Sequence, residues 1–80
     1  MKISVELSYY PLNEGYVEPI LEFLQKLNEY TEMKCVTNGM STQVFGDFDY
    51  VMDALKIEIR NSFINPSSVF VLKIVNLDLR

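Results

Sequence analysis

Met33-Lys34-Cys35-Val36-Thr37-Asn38-Gly39-Met40-Ser41-Thr42-Gln43-Val44-Phe45 is the stretch on which the fold turns. Met33, Cys35 and Thr37 alternate onto one face of a short run, and residues 41–45 form a second run of the same kind. Period-two runs of this length read as strands. Asn38-Gly39 between them signals a turn, because both residues tolerate positive φ. The expectation is a hairpin whose tip gathers Thr37, Asn38, Met40, Ser41 and Thr42. Gly46 is read as the end of the second strand.

On each side of the hairpin the period lengthens. Upstream, over residues 14–30, Tyr16, Ile20, Phe23, Leu27 and Tyr30 recur at spacings of three and four, widened by Val17, Leu21 and Leu24. That is an amphipathic helix with one broad buried face. Asn13 is its N-cap, with Pro19 in the early turns. Downstream, Phe48, Val51, Met52, Leu55, Ile59 and Phe63 make a second helical stripe. Asp47 or Asp49 caps it, and Asn65-Pro66-Ser67-Ser68 stops it.

Strands close both ends. Ile3, Val5, Leu7 and Tyr9 alternate with Lys2, Ser4, Glu6 and Ser8 until Pro11 intervenes. Residues 69–75 are apolar on both faces and β-branched, which predicts a strand with little exposed surface. Strand, helix, strand, strand, helix, strand is the split βαβ pattern. The expected fold is thus α+β and ferredoxin-like (βαββαβ), one domain over residues 1–80. Two helices cover one face of a four-stranded antiparallel sheet. The other face sets Ser4, Glu6 and Ser8 beside Val69, Val71 and Val75, or beside their alternating neighbours. A half-apolar open face on so small a domain predicts self-association.

Composition narrows the function classes. Eighty residues make one thin core, although 49% of them are apolar and five are Phe and five Tyr. The net charge is −4, and the seven basic residues are scattered. Nucleic-acid binding needs clustered cations, so no nucleic-acid partner is expected. The single cysteine rules out an intrachain disulfide and fits a reducing compartment. No apolar run approaches the length that spans a bilayer, and the N-terminus has no apolar signal core. The expected location is cytoplasmic, without a membrane partner.

Catalytic chemistry is sparse. There is no histidine, which removes the usual general base, the triads and most zinc sites. Cys35 has no such partner and reads as a small core residue. Asp47, Asp49 and Asp53 read as capping and solvated charges, with no metal. No glycine-rich phosphate loop is present. The chain is expected to bind rather than to catalyse, with no cofactor. Two stretches invite a ligand. The hairpin tip packs hydroxyls, amides and Met40 around one turn. It reads either as local turn satisfaction or as the polar rim of a pocket. Ser8-Tyr9-Tyr10-Pro11 ends the first strand where the first helix departs. Tyr10 there either covers a loop or stacks on a cationic ring.

Residues 3–12 (ISVELSYYPL), with 38–46 (NGMSTQVFG), Asp47-Phe48-Asp49 and the closing strand, resemble the thiamine-binding (YkoF-like) family over nearly the whole chain. The Gly-Met-Ser-Thr block after a strand carries most of that likeness. The resemblance implies a ferredoxin-like fold, assembly into dimers or tetramers through sheet faces, and binding of thiamine or its hydroxymethylpyrimidine part. Carried over by position, the ligand-binding residues are Ser8, Tyr10, Thr37, Asn38, Met40, Ser41 and Thr42. Ser41 and Thr42 would hydrogen-bond the ring, Thr37 and Asn38 would complete the rim, Tyr10 would stack, and Glu6 or Asp47 would offset the thiazolium charge. Many members of that family continue into a C-terminal extension where this chain stops. The rival expectation is a structural or regulatory interaction module that assembles through the open sheet face.

Overall fold

A computed structural model gives the structure and describes residues 1–12, 15, 17–64 and 67–80. The element order is β1 (Lys2–Pro11), α1 (Val17–Leu27), β2 (Met33–Thr37), β3 (Thr42–Asp47), α2 (Phe48–Ser62) and β4 (Ser68–Val75). The strands make one sheet in the order β2-β3-β1-β4. Every neighbouring pair is antiparallel. This is the ferredoxin-like βαββαβ layout that the periodicities predict. The expected Asn13 cap, the start of the first helix at Glu14 and Tyr16, and the Asn65-Pro66 stop lie outside the described residues.

Alternation in β1 separates the two faces of the sheet. Ile3, Val5 and Leu7 point into the core, where Phe23 and Leu27 of α1 and Val51, Ala54 and Leu55 of α2 cover them. Each of these side chains except the small Ala54 contributes about 1.5–3 kcal/mol through its burial. Tyr30 lies beyond α1, which ends in a tightened turn with Tyr30 N–H donating to the Leu27 carbonyl at 3.2 Å. Its hydroxyl donates to Glu58 Oε2 of α2 at 2.7 Å, which satisfies a buried carboxylate. That bond pushes the Tyr30 hydroxyl pKa up to about 12.

Gly46 does not end the second strand of the hairpin. It lies inside β3, paired with Ile3 of β1 and Met33 of β2. The reason is close packing: a Cβ at Gly46 would meet Met33 Cβ and Val51 Cγ2 at 3.1 Å each. Gly46→Ala is therefore expected to destabilise the fold by about 1–3 kcal/mol through overpacking. A urea midpoint equal to that of the parent would contradict this.

One further expectation holds in position and another is corrected. Asp47 holds the N-cap position of α2, yet its side chain makes no cap hydrogen bond. Its carboxylate faces the Met1 ammonium at 3.3 Å instead, and that contact lowers its pKa. Nor is β4 largely covered, since Val69, Val71 and Ile74 are all exposed. β4 is an edge strand, and its pairing sets Val69, Val71, Lys73 and Val75 opposite Tyr10, Ser8, Glu6 and Ser4 on the face away from the helices. After β4 the chain folds back onto this face at Ser4. The Ser4 hydroxyl donates to the Leu77 carbonyl at 2.7 Å and accepts the Leu79 N–H at 2.8 Å.

Candidate functional site

The site forms where the strands are unequal in length. β3 begins at Thr42, opposite Leu7, whereas β1 runs on to Pro11 paired only with β4. Ser8 to Pro11 therefore have no strand partner on the hairpin side. The backbone groups of alternate residues on that edge face a cleft, as the antiparallel hydrogen-bond pattern requires. The hairpin tip leans over this edge, and α1 closes the third side with Ile20, Phe23 and Leu24. The cleft has a volume of about 500 Å³, inside the range of small-ligand sites.

All seven residues singled out in the sequence, Ser8, Tyr10, Thr37, Asn38, Met40, Ser41 and Thr42, line this cleft. They do not line it in equivalent ways. Thr42 is buried, in one row with Leu7 and Thr37 on the helix side of the sheet. The Thr37 and Thr42 hydroxyls lie 3.0 Å apart, and either can donate to the other. One hydroxyl hydrogen is spent between them, and the other is free to point into the cleft. Tyr10 is 52% exposed and Met40 87% exposed, so both are rim residues.

Asn38 shapes the turn by a route other than the expected one. Neither Asn38 nor Gly39 adopts a left-handed φ. Residues 38–41 form a longer loop, closed by Asn38 N–H donating to the Ser41 carbonyl at 3.0 Å. The Asn38 side-chain oxygen accepts the N–H groups of Met40 at 2.8 Å and Ser41 at 3.1 Å. This Asx arrangement replaces the positive φ of a two-residue turn.

Ser41 faces the open side of the sheet. Its hydroxyl donates to Glu6 Oε2 at 2.9 Å and accepts from Gln43 Nε2 at 2.8 Å. Lys73 Nζ lies 3.3 Å from the other Glu6 oxygen. Ser41 first, then Lys73, hold the Glu6 carboxyl below its ordinary value of 4.5. A lowered carboxylate pKa stabilises the fold above the ordinary value and loses that effect as the pH falls through the lowered one. The melting-temperature difference between parent and Glu6→Gln is thus expected to shrink on acidification below about 4.5. A difference independent of pH would contradict the network.

Neither acid expected to offset a ligand's positive charge lines the cleft. Glu6 is engaged on the open face, and Asp47 sits opposite Lys2 at the far end of β1. Cys35 packs half-buried, its thiol 3.8 Å from the Leu27 carbonyl, and burial raises its pKa, away from reactivity. Among the described residues no three acidic, cysteine or histidine side chains converge as a metal site. Also among them, no helix is long and apolar enough to cross a membrane.

The motif reading missed the apolar wall. Tyr9 stacks on Phe70 with centroids 4.3 Å apart, and Phe23 meets both rings at an angle. Phe23 and Leu24 belong to the same periodic stripe that marks the helix core, so periodicity alone does not set them apart.

No protein-family model matches this sequence, and no curated protein matches it. Solved structures do. A protein of Thermotoga maritima, provisionally assigned to thiamine biosynthesis or salvage, superposes with a TM-score of 0.82 at 25% identity, over 100% of this chain and 85% of its own. A hypothetical protein of Methanocaldococcus jannascii superposes with a TM-score of 0.81 at 26% identity, over 99% of this chain and 84% of its own. A domain of unknown function (DUF77) from Bacillus cereus shares the fold at 13% identity, with a TM-score of 0.79 over 99% of this chain and 79% of its own. The chain is thus similar, in fold and loosely in sequence, to a protein provisionally assigned to thiamine biosynthesis or salvage.

Proposed function

We propose that this chain binds a small flat heteroaromatic molecule in the cleft at the end of its sheet, without catalysing a reaction. Thiamine or its hydroxymethylpyrimidine part is the leading ligand. The observation that carries the reading is the convergence of a shared Thr37–Thr42 hydroxyl pair, an unpaired strand edge and an aromatic wall on one cleft. Apolar walls with a few placed polar groups suit a planar ring bearing donors and acceptors at its edge. The similarity to the Thermotoga protein supports the same ligand class. A sequence without histidine favours binding over acid–base chemistry.

Isothermal titration calorimetry with thiamine, then with the hydroxymethylpyrimidine fragment, tests this. Saturable binding at micromolar concentration or tighter supports it. No heat with millimolar ligand at two temperatures overturns it and moves the interaction-module reading to first place.

The open sheet face is the proposed contact with a second copy. Tyr10, Val36, Val69 and Val71 are exposed there, and Glu6 and Lys73 give the face both signs of charge. A patch with both signs can complement itself about a two-fold axis. Val71→Asp is expected to convert a dimer or tetramer to monomer in sedimentation velocity. A parent chain that sediments as a monomer at high concentration would refute the contact.

A further inference from the structure

We infer that the cleft selects ligands without negative charge and turns away the phosphate esters of the same ring compounds. The inference rests on the binding reading above and adds the charge class of the ligand. A phosphate needs cations or several convergent N–H donors when it leaves water. The chain has seven basic residues, all among the described residues, and none of them lines the cleft. Lys73 pairs with Glu6 on the open face, Arg80 with Asp78, and Lys26 lies near Glu29. Lys2 is at the opposite end of β1, opposite Asp47.

Other anion-binding devices are also spent or absent from the rim. The N–H groups of Met40 and Ser41, which could have formed a small anion nest, are taken by the Asn38 side chain. The Ser41 hydroxyl is given to a carboxylate, Glu6. The Thr37–Thr42 pair has only one hydroxyl hydrogen left for a ligand. The N-terminus of α1 is a poor anion site as well, although Ile20 of that helix reaches the cleft. Its first turn carries Glu18, and Pro19 at the third position removes one of the free N–H groups. What remains is an apolar wall with neutral hydroxyls and amides and the short unpaired edge of β1, to which Pro11 brings no N–H. Such a surface accepts an uncharged or cationic ring, and a dianion loses its hydration there without replacement.

Calorimetry on two matched pairs tests this: thiamine against thiamine monophosphate, and the hydroxymethylpyrimidine against its phosphate ester. In each pair the phosphate is expected to bind about tenfold more weakly or worse. Phosphates that bind as tightly as their parents overturn the inference and leave the binding reading intact. If no member of either pair binds, the binding reading fails and the inference falls with it. Met40→Lys gives a second readout, because Met40 is an exposed rim residue of the cleft and its replacement leaves the buried core untouched. An ammonium at the rim is expected to narrow the parent-to-phosphate ratio about two- to five-fold. A ratio unchanged in Met40→Lys would show that missing positive charge does not set the selectivity.

Discussion

Phe23→Ala is expected to lower the unfolding free energy by about 3–5 kcal/mol, the range for deleting a buried aromatic ring. Phe23 is only 3% exposed. Its ring lies edge-on to Tyr9 with centroids 5.3 Å apart and tilted to Phe70 at 5.1 Å. Each aromatic pairing adds about 0.5–1.5 kcal/mol beyond burial. A domain of this size has a total stability of only about 5–10 kcal/mol, so the variant should sit close to its folding threshold. Urea unfolding gives the loss directly. A decrease below about 1 kcal/mol would mean that this ring is not part of the core.

The same ring is a wall of the cleft, and that links stability to recognition. Tyr9, Phe23 and Phe70 hold one another, with Phe63 adding an edge contact to Phe70 at 5.6 Å. A wall built from interlocked core rings cannot collapse into the cleft without losing those contacts. The cavity is preorganised, and a ligand does not have to supply the ordering of its walls. Phe23→Leu separates the two roles. It keeps an apolar side chain in the core while opening the wall, so binding should weaken more than folding.

Particular residues show how far the sequence could be read. The strict alternation from Lys2 to Tyr9 was enough to assign both faces of β1, because one sheet face is covered and the other is not. The hairpin residues also came together as expected. Their facing was less legible. The sequence resemblance groups Ser41 and Thr42 as ring contacts, yet adjacent residues at the start of a strand point to opposite faces. Thr42 accordingly lies against Thr37, and Ser41 against Glu6. Gly46 looked like a terminator because glycine often is one. Its actual role depends on where α2 crosses the sheet, a tertiary fact that no local pattern encodes. The aromatic wall is hidden for a related reason: α1 has one periodic stripe, and only the start of β3 at Thr42 decides which part of it faces core and which part faces cleft.

Thr42→Val is expected to weaken binding of the proposed ligand about tenfold, the loss of one hydrogen bond with an otherwise buried partner. Valine matches threonine in shape, and Thr42 is 5% exposed, so the change removes a hydroxyl without opening a cavity. Thr37 is exposed and finds water once its partner is gone, which keeps the folding cost below about 1.5 kcal/mol. Thr37→Val should weaken binding by a similar factor, because it removes either the donor or the acceptor of the same pair. The double variant decides whether the pair acts as a unit. If one hydroxyl orients the other for the ligand, the combined loss is well short of the sum of the two single losses, since the first replacement already disables the second group. If the losses simply add, each hydroxyl contacts the ligand independently. If both single variants bind as the parent does while remaining folded, the hydroxyl pair is only a cross-strand contact, and the polar half of the recognition must come from the unpaired edge of β1.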